Sequence, residues 1–289
     1  MVRSVTRYQL FEFHELPWFP AGWRDLVTDF LSFFFKTFKP YVCVAPVLAE
    51  ALESSRSRRI IDLCSGAGQP VLSVLPALEL LGCVPESITL TDKYPNLDAF
   101  RSAAAASDGS VTCIEASVDA TAVPQELRGF RTLFTSFHHL RPEEARGVLA
   151  DARQKGEGVG IFEFTERNAW LWTIPVLLIP LLVWGCTPFM RPLTWRRLVW
   201  TYLLPIVPLV AMWDGLISNI RSYSPRELHE LIDGLDCGTY RWRIGRVRSL
   251  GLSRVTFAVG WSARSSQTPG VPPPNSARAG GHHHDGGAE

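Results

Sequence analysis

The sequence predicts an α/β protein built on a parallel sheet with helices on both faces, interrupted by an apolar helical hairpin. Three observations carry that expectation. Short β-rich runs alternate with helical ones over 58–168. A stretch almost free of charge follows over 169–213, and globular text with one helix and two strand-like runs resumes over 214–261. Strands separated by helices pair in parallel, and a parallel sheet buries both its faces.

In chain order, the segment 1–57 is aromatic and amphipathic. A helix is expected within 18–41, with Pro20 suited to its start and Pro40 to its stop. The core is expected over 58–168: strands at 59–63, 87–91, 111–116, 132–137 and 159–164, and helices at 70–81, 97–106 and 142–154. In the insertion, 169–190 and 198–213 carry no charged residue, and six of the ten tryptophans lie there. Ser224 and Pro225 then open a helix to about Asp233, followed by strand-like runs over 240–248 and 255–261 that complete the core. The tail, 262–289, is low-complexity text that cannot pack.

Composition limits the function. With 289 residues, 46% hydrophobic and 20% charged, the chain can bury a full core and is not disordered as a whole. Lys plus Arg number 29 against 28 for Asp plus Glu, a formal charge of +1, so no global field gathers a polyanion and no nucleic acid partner is expected. Six cysteines without a C-x-x-C pair fit reduced thiols in a cytoplasmic protein. The N-terminus lacks the apolar run of an export signal, so no export is expected. His282, His283 and His284 stand in the tail and are read as incidental; no metal site is expected.

The most informative segment is RIIDLCSGAGQP, residues 59–70. A strand ending in Asp62, followed by Gly66 and Gly68, sets a carboxylate beside a loop whose missing side chains let backbone approach a ligand. A dinucleotide loop would want a further glycine where Val71 stands, which weakens a nicotinamide-dependent oxidoreductase. Asp62 suits a cationic ammonium instead. The segment resembles motif I, D-x-G-x-G-x-G, of class I S-adenosylmethionine-dependent methyltransferases, with Cys64 in the first glycine position and Ser65 between it and Gly66. Further ordered segments match the same family. Asp92, followed by Lys93 in ITLTDKYPN, stands where the resemblance implies an acid on both ribose hydroxyls. Asp119 and Ala120 match the pair that meets the adenine edge; Phe137, expected as a cofactor contact, His138 and His139 in TLFTSFHHL occupy the mouth after the fourth strand; and SYSPRELHELI precedes the closing hairpin. The resemblance implies a Rossmann-like seven-stranded sheet with helices on both faces, and S-adenosyl-L-methionine as cofactor. Taken singly, Asp62 with its glycines could be an ordinary strand–helix turn, and Asp92 a helix cap.

His138 and Glu163 are the candidate catalytic residues. Imidazole titrates near neutrality, and neighbours on an extended segment face opposite ways, so His138 is favoured over His139. Glu163 and Glu166 are rival bases, unless they pair with Arg167. The insertion leaves three placements open: monotopic attachment to a membrane, which is favoured, a spanning hairpin, or a soluble lid. Arg191, Arg196 and Arg197 between its two halves disfavour spanning. The expected function is methyl transfer to a lipophilic small-molecule or lipid acceptor at the cytoplasmic side of a membrane. The alternative is a membrane-anchored binding module without turnover. The acceptor's identity and the oligomeric state are not legible.

Overall fold

The computed structural model describes residues 6–167, 176–235, 238–251 and 253–262. One seven-stranded sheet organises them. In chain order its strands are β1 (Arg59–Asp62), β2 (Ser87–Leu90), β3 (Val111–Cys113), β4 (Phe130–Phe134), β5 (Val159–Glu163), β6 (Tyr240–Arg248) and β7 (Arg254–Ser262). Their spatial order is β3-β2-β1-β4-β5-β7-β6. Strands β1 to β5 pair in parallel, while β7 runs antiparallel to β5, with Val159 opposite Gly260 and Glu163 opposite Thr256. The sheet therefore reverses direction only at the final hairpin.

Alternation of side chains along the strands builds two cores. Ile60, Phe134 and Phe162 face one side, where they pack with residues of α2 (Ala45–Ser55), α3 (Gln69–Leu80) and α4 (Leu97–Ala105). Ile61, Leu133 and Ile161 face the other, against α5 (Pro142–Gln154) and a later helix, Pro225–Ile232. Strands β4 and β5 are buried at every position, as a central parallel strand must be. Arg131 of β4 is buried with them, and its Nη1 donates to Asp151 Oδ2 of α5 at 2.6 Å.

A third apolar cluster lies outside the sheet. Helix α1 (Ala21–Phe38) contributes Leu26, Val27 and Phe30, and the insertion contributes Val183, Cys186, Val207 and Val210. The insertion comprises α6 (Ile179–Cys186), α7 (Trp195–Leu198) and α8 (Ile206–Arg221), with a π turn over Val199–Leu203. Pro180 opens α6 and Pro188 follows it, so the apolar run expected over 169–190 is broken into short pieces. Residues 169–175 of that run lie outside the described residues. Helix α8 continues past the expected limit at 213. Arg197, 5% exposed, pins α7 to α1 by donating to Asp29 at 2.5 Å. The aromatic N-terminal helix is thus the packing partner of the insertion. Among the described residues no single helix is long and apolar enough to cross a membrane; two bent pairs, Ala21–Phe38 with Val42–Ser55 and Trp195–Leu203 with Ile206–Arg221, pass by length and composition only. The helix Pro225–Ile232, here α9, carries the expected Ser224 cap, whose hydroxyl accepts from the Glu227 amide.

Asp151→Asn leaves Arg131 buried without its counter-charge. Urea unfolding is expected to show a loss of about 3–5 kcal/mol at an unchanged slope.

Candidate active site

The turn from β1 into α3 takes left-handed backbone at alternate positions: φ is 54° at Cys64, 55° at Gly66 and 72° at Gly68. These are the three glycine positions of the motif. Glycine adopts that conformation freely, whereas a side-chain-bearing residue does so at a cost. At Gly68 a Cβ would also stand 2.8 Å from Leu90 Cδ1, while at Gly66 it would meet nothing within 4 Å. Gly68 is therefore required by packing, and Gly66 keeps the loop open. The Ser65 hydroxyl donates to the Asp62 carbonyl at 2.8 Å and accepts from the Thr91 amide at 3.2 Å, tying the loop to β1 and β2.

Two carboxylates close the loop. Asp62 is 3% exposed and accepts the Thr132 hydroxyl at 2.6 Å. Burial pushes its carboxyl up to about 7, although hydrogen bonds from Thr132 and Ser65 favour the anion. Asp92, at the end of β2, accepts the Gly66 amide on Oδ2 and the Tyr94 amide on Oδ1, both at 2.9 Å. Each oxygen keeps a second lone pair. The Asp92 carbonyl accepts the Val118 amide at 2.9 Å, which draws the segment after β3 to the same edge. There Asp119 accepts from the Thr121 amide and hydroxyl and from Lys93 Nζ, the last at 2.9 Å. Those bonds, from Thr121 first and then Lys93, hold its carboxyl down to about 2. Lys93 and Asp119 are thus a partly exposed ion pair, and Ala120 is buried beside them and offers backbone.

The loop fits S-adenosylmethionine on its own chemistry. Burial, and then the charges of Asp92 and Asp62, push the Cys64 thiol up to about 12. This is an electronegative corner, suited to a ligand that carries an ammonium and a sulfonium. Asp92 has lone pairs left for a vicinal diol. A hollow lined by Arg59, Glu86 and Arg128 lies at the opposite, N-terminal ends of the strands and takes no part.

No protein-family model matches the chain, and no curated protein matches it. Solved structures do. The plantazolicin methyltransferase BpumL, in complex with S-adenosylhomocysteine, is similar at 9% identity and a TM-score of 0.52, over 86% of this chain and 94% of that one. This is the class I methyltransferase fold. An O-methyltransferase family protein from Burkholderia thailandensis is similar at 19% identity and a TM-score of 0.43, over 76% of this chain, which spans 55% of that protein's length. Human N-acetylserotonin methyltransferase, crystallised with S-adenosylmethionine, is similar at 12% identity and a TM-score of 0.46, over 87% of this chain and 62% of that one.

At the exit of β4 the structure differs from expectation. Phe137–His139 form a 3-10 turn, not an extended segment. His138 and His139 therefore do not point oppositely; their rings lie 4.2 Å apart. Phe137, expected at the cofactor, is fully buried in the core against Tyr223. Glu163 and His138 are partners, not rivals. Glu163 Oε2 lies 2.7 Å from His138 Nδ1, and its Oε1 accepts the amides of Ser136 and Phe137. Glu163 has no oxygen left to serve as an independent base. Glu166 pairs with Arg246 at 3.1 Å, and Arg167 with Glu227, so neither acid bonds its expected partner.

Sequence reasoning missed Glu12, His14, Asp214 and Arg221. Glu12 is 1% exposed and accepts the Ser218 hydroxyl at 3.1 Å. His14 Nδ1 lies 3.0 Å from Asp214 Oδ2, and Arg221 bonds Glu15 at 2.7 Å. Acid and histidine in the otherwise aromatic FEFHELP was the available signal. Its partners lie some two hundred positions away, which no local pattern reports.

Cys64→Gly removes the side chain from a left-handed position. The expected outcome in urea or thermal unfolding is a neutral to stabilising change of up to about 1 kcal/mol, because relieved strain exceeds the added chain entropy.

Proposed function

We propose that this chain binds S-adenosylmethionine in the turn after β1 and transfers its methyl group to a lipophilic small molecule reached from a membrane surface. The observation that carries the reading is the left-handed Cys64–Gly68 loop clamped by Asp92 through the Gly66 amide. When bound, the cofactor supplies an electrophilic methyl group on a sulfonium. Asp62 would face its ammonium and Asp92 its ribose hydroxyls. Asp119 and the Ala120 backbone would border the adenine, with Lys93 covering that edge. Alignment and exclusion of water provide most of what such a displacement requires. The buried His138–Glu163 pair holds the wall of the acceptor side in one geometry. No proton acceptor is needed where the acceptor atom is already nucleophilic.

The test uses the anionic demand on Asp62. With its carboxyl near 7 in the free chain, binding an ammonium below that pH requires loss of a proton. Affinity for S-adenosylhomocysteine is therefore expected to fall as pH falls below about 7, by up to tenfold per unit, and to level off above it. Asp62→Asn should bind weakly with a flat profile. Calorimetry checks both, and absence of binding at pH 8 sinks the reading. Turnover is checked with methyl-labelled cofactor, whose label should pass into an organic extract and fail to do so in Asp92→Ala.

The membrane part of the proposal rests on the insertion's outer face. Phe189 and Trp195 are each 72% exposed and Leu203 is 74% exposed, with Arg191 and Arg196 exposed beside them. Apolar rings flanked by guanidinium groups suit an anionic bilayer surface, where each basic residue adds roughly 1 kcal/mol. The chain is expected to float with vesicles containing phosphatidylglycerol. Arg196→Gln should weaken that binding about fivefold and Phe189→Ser with Trp195→Ser should abolish it. Failure of the parent chain to float removes the membrane from the proposal and leaves methyl transfer standing.

A further inference from the structure

The acceptor side contains a buried imidazole nitrogen with nothing to bond. His138 is 1% exposed, and its Nε2 has no hydrogen-bond partner. Its other nitrogen lies 2.7 Å from the Glu163 carboxylate, which places the proton on Nδ1 and a lone pair on Nε2. Nε2 lies 3.7 Å from Glu12 Oε1, and His139 Nδ1 lies 3.9 Å from the same oxygen. Both separations are too long for a hydrogen bond. They are close to the roughly 3.4 Å between two donors that each sit about 2.1 Å from a tetrahedral metal ion. The donor atoms of Glu12, His138 and His139 all lie within 4.8 Å of one another.

We infer that Glu12, His138 and His139 form a binding site for one divalent transition-metal ion of the zinc type. Two imidazoles with one carboxylate select zinc, cobalt or nickel over magnesium and calcium, which take oxygen donors. Glu163 supplies the outer carboxylate that fixes the tautomer of a metal-bound histidine. The charge balance agrees. Arg221 faces Glu12 and Glu15, Glu163 lies against His138 and Asp214 against His14, and Arg7 donates to the His138 carbonyl, so four carboxylates gather around two guanidinium groups. Ligation through His139 Nδ1 displaces its 2.7 Å contact with Glu15, whose other oxygen stays on Arg221. A metal here fastens the N-terminal strap to the exit of β4, and three protein donors leave a position open to water or a hydroxyl. A metal-bound His138 is then a ligand and not a proton acceptor. Glu12 with His14 and Asp214 is a second set of donors within the same spacing, but it holds no buried unpartnered nitrogen comparable to His138 Nε2, since its one imidazole nitrogen in that set, His14 Nδ1, lies 3.0 Å from Asp214.

The experiment needs no S-adenosylmethionine, so its result is independent of the methyl-transfer reading. Because His282, His283 and His284 would bind metal themselves, the full chain carries His282→Ala, His283→Ala and His284→Ala and is stripped with chelator. Calorimetric titration with zinc chloride is expected to give one ion per chain. Cobalt chloride is expected to give visible d–d absorption that zinc abolishes. Glu12→Gln and His139→Gln should each weaken zinc at least tenfold, and Glu163→Gln about 10- to 100-fold through the outer contact. His14→Gln should bind as the parent does. Circular dichroism without metal confirms that each variant is folded, and where one is not, the cobalt spectrum of the parent chain decides. No zinc uptake, uptake indifferent to Glu12→Gln and His139→Gln, or uptake lost with His14→Gln would each overturn the inference.

Discussion

One loop conformation governs the rest of the site. The chain leaves β1 and enters α3 through alternate left-handed residues, and Asp92 holds that path open from the neighbouring strand by accepting the Gly66 amide. Without the clamp, the amides of the turn would be free to rotate away and α3 would enter at another angle. With it, Asp62, Asp92 and the segment carrying Asp119 converge at one edge of the sheet. The Asp92 carboxylate stabilises the loop through the Gly66 amide, the Asp62 carboxylate is tied to Thr132 of β4, and both keep lone pairs in reserve. Asp62 shows the tension in this arrangement. Burial disfavours its charge, and only a cationic partner or a proton relieves the cost.

The second constraint is the N-terminal strap. Residues before α1 cross the exit of β4 and the C-terminal half of α8: Arg7 donates to the carbonyls of Arg221, His138 and Leu140, and Asp214 accepts the Phe13 amide at 2.7 Å. Helix α1 then covers the inner face of the insertion. Aromatic and apolar side chains on the insertion's outer face have no such cover. The same element thus packs on α1 on one side and keeps an exposed apolar surface on the other.

Much of the sheet was legible because its strands repeat simple patterns. The helix over 142–154 is found at its expected limits, and 240–248 is a strand at both expected ends. The run at 111–116 is shorter as a strand, ending at Cys113, because the chain must bend there to bring Asp119 to Asp92. Of the loop residues, Cys64, Gly66 and Gly68 were legible because only backbone conformation was at stake. Phe137 was not. Its place in the family motif says that it follows β4, but whether its ring meets ligand or core depends on Tyr223, from the distant connection between α8 and α9. The pairing of His138 with Glu163 was hidden for the same reason: an extended reading of the segment separates the two histidines, while the 3-10 turn brings both rings to one side.

By itself the sequence determined the α/β class, the order of strands and helices, and the acidic, glycine-spaced cradle, because periodicity and backbone demands are local properties written in neighbouring residues. The tertiary structure alone decided which side chains meet at the exit of β4. Glu12, His138 and Glu163 come from three separate segments and Asp214 and Arg221 from a fourth, α8, and their charges become coupled only when the strap closes over them and excludes water.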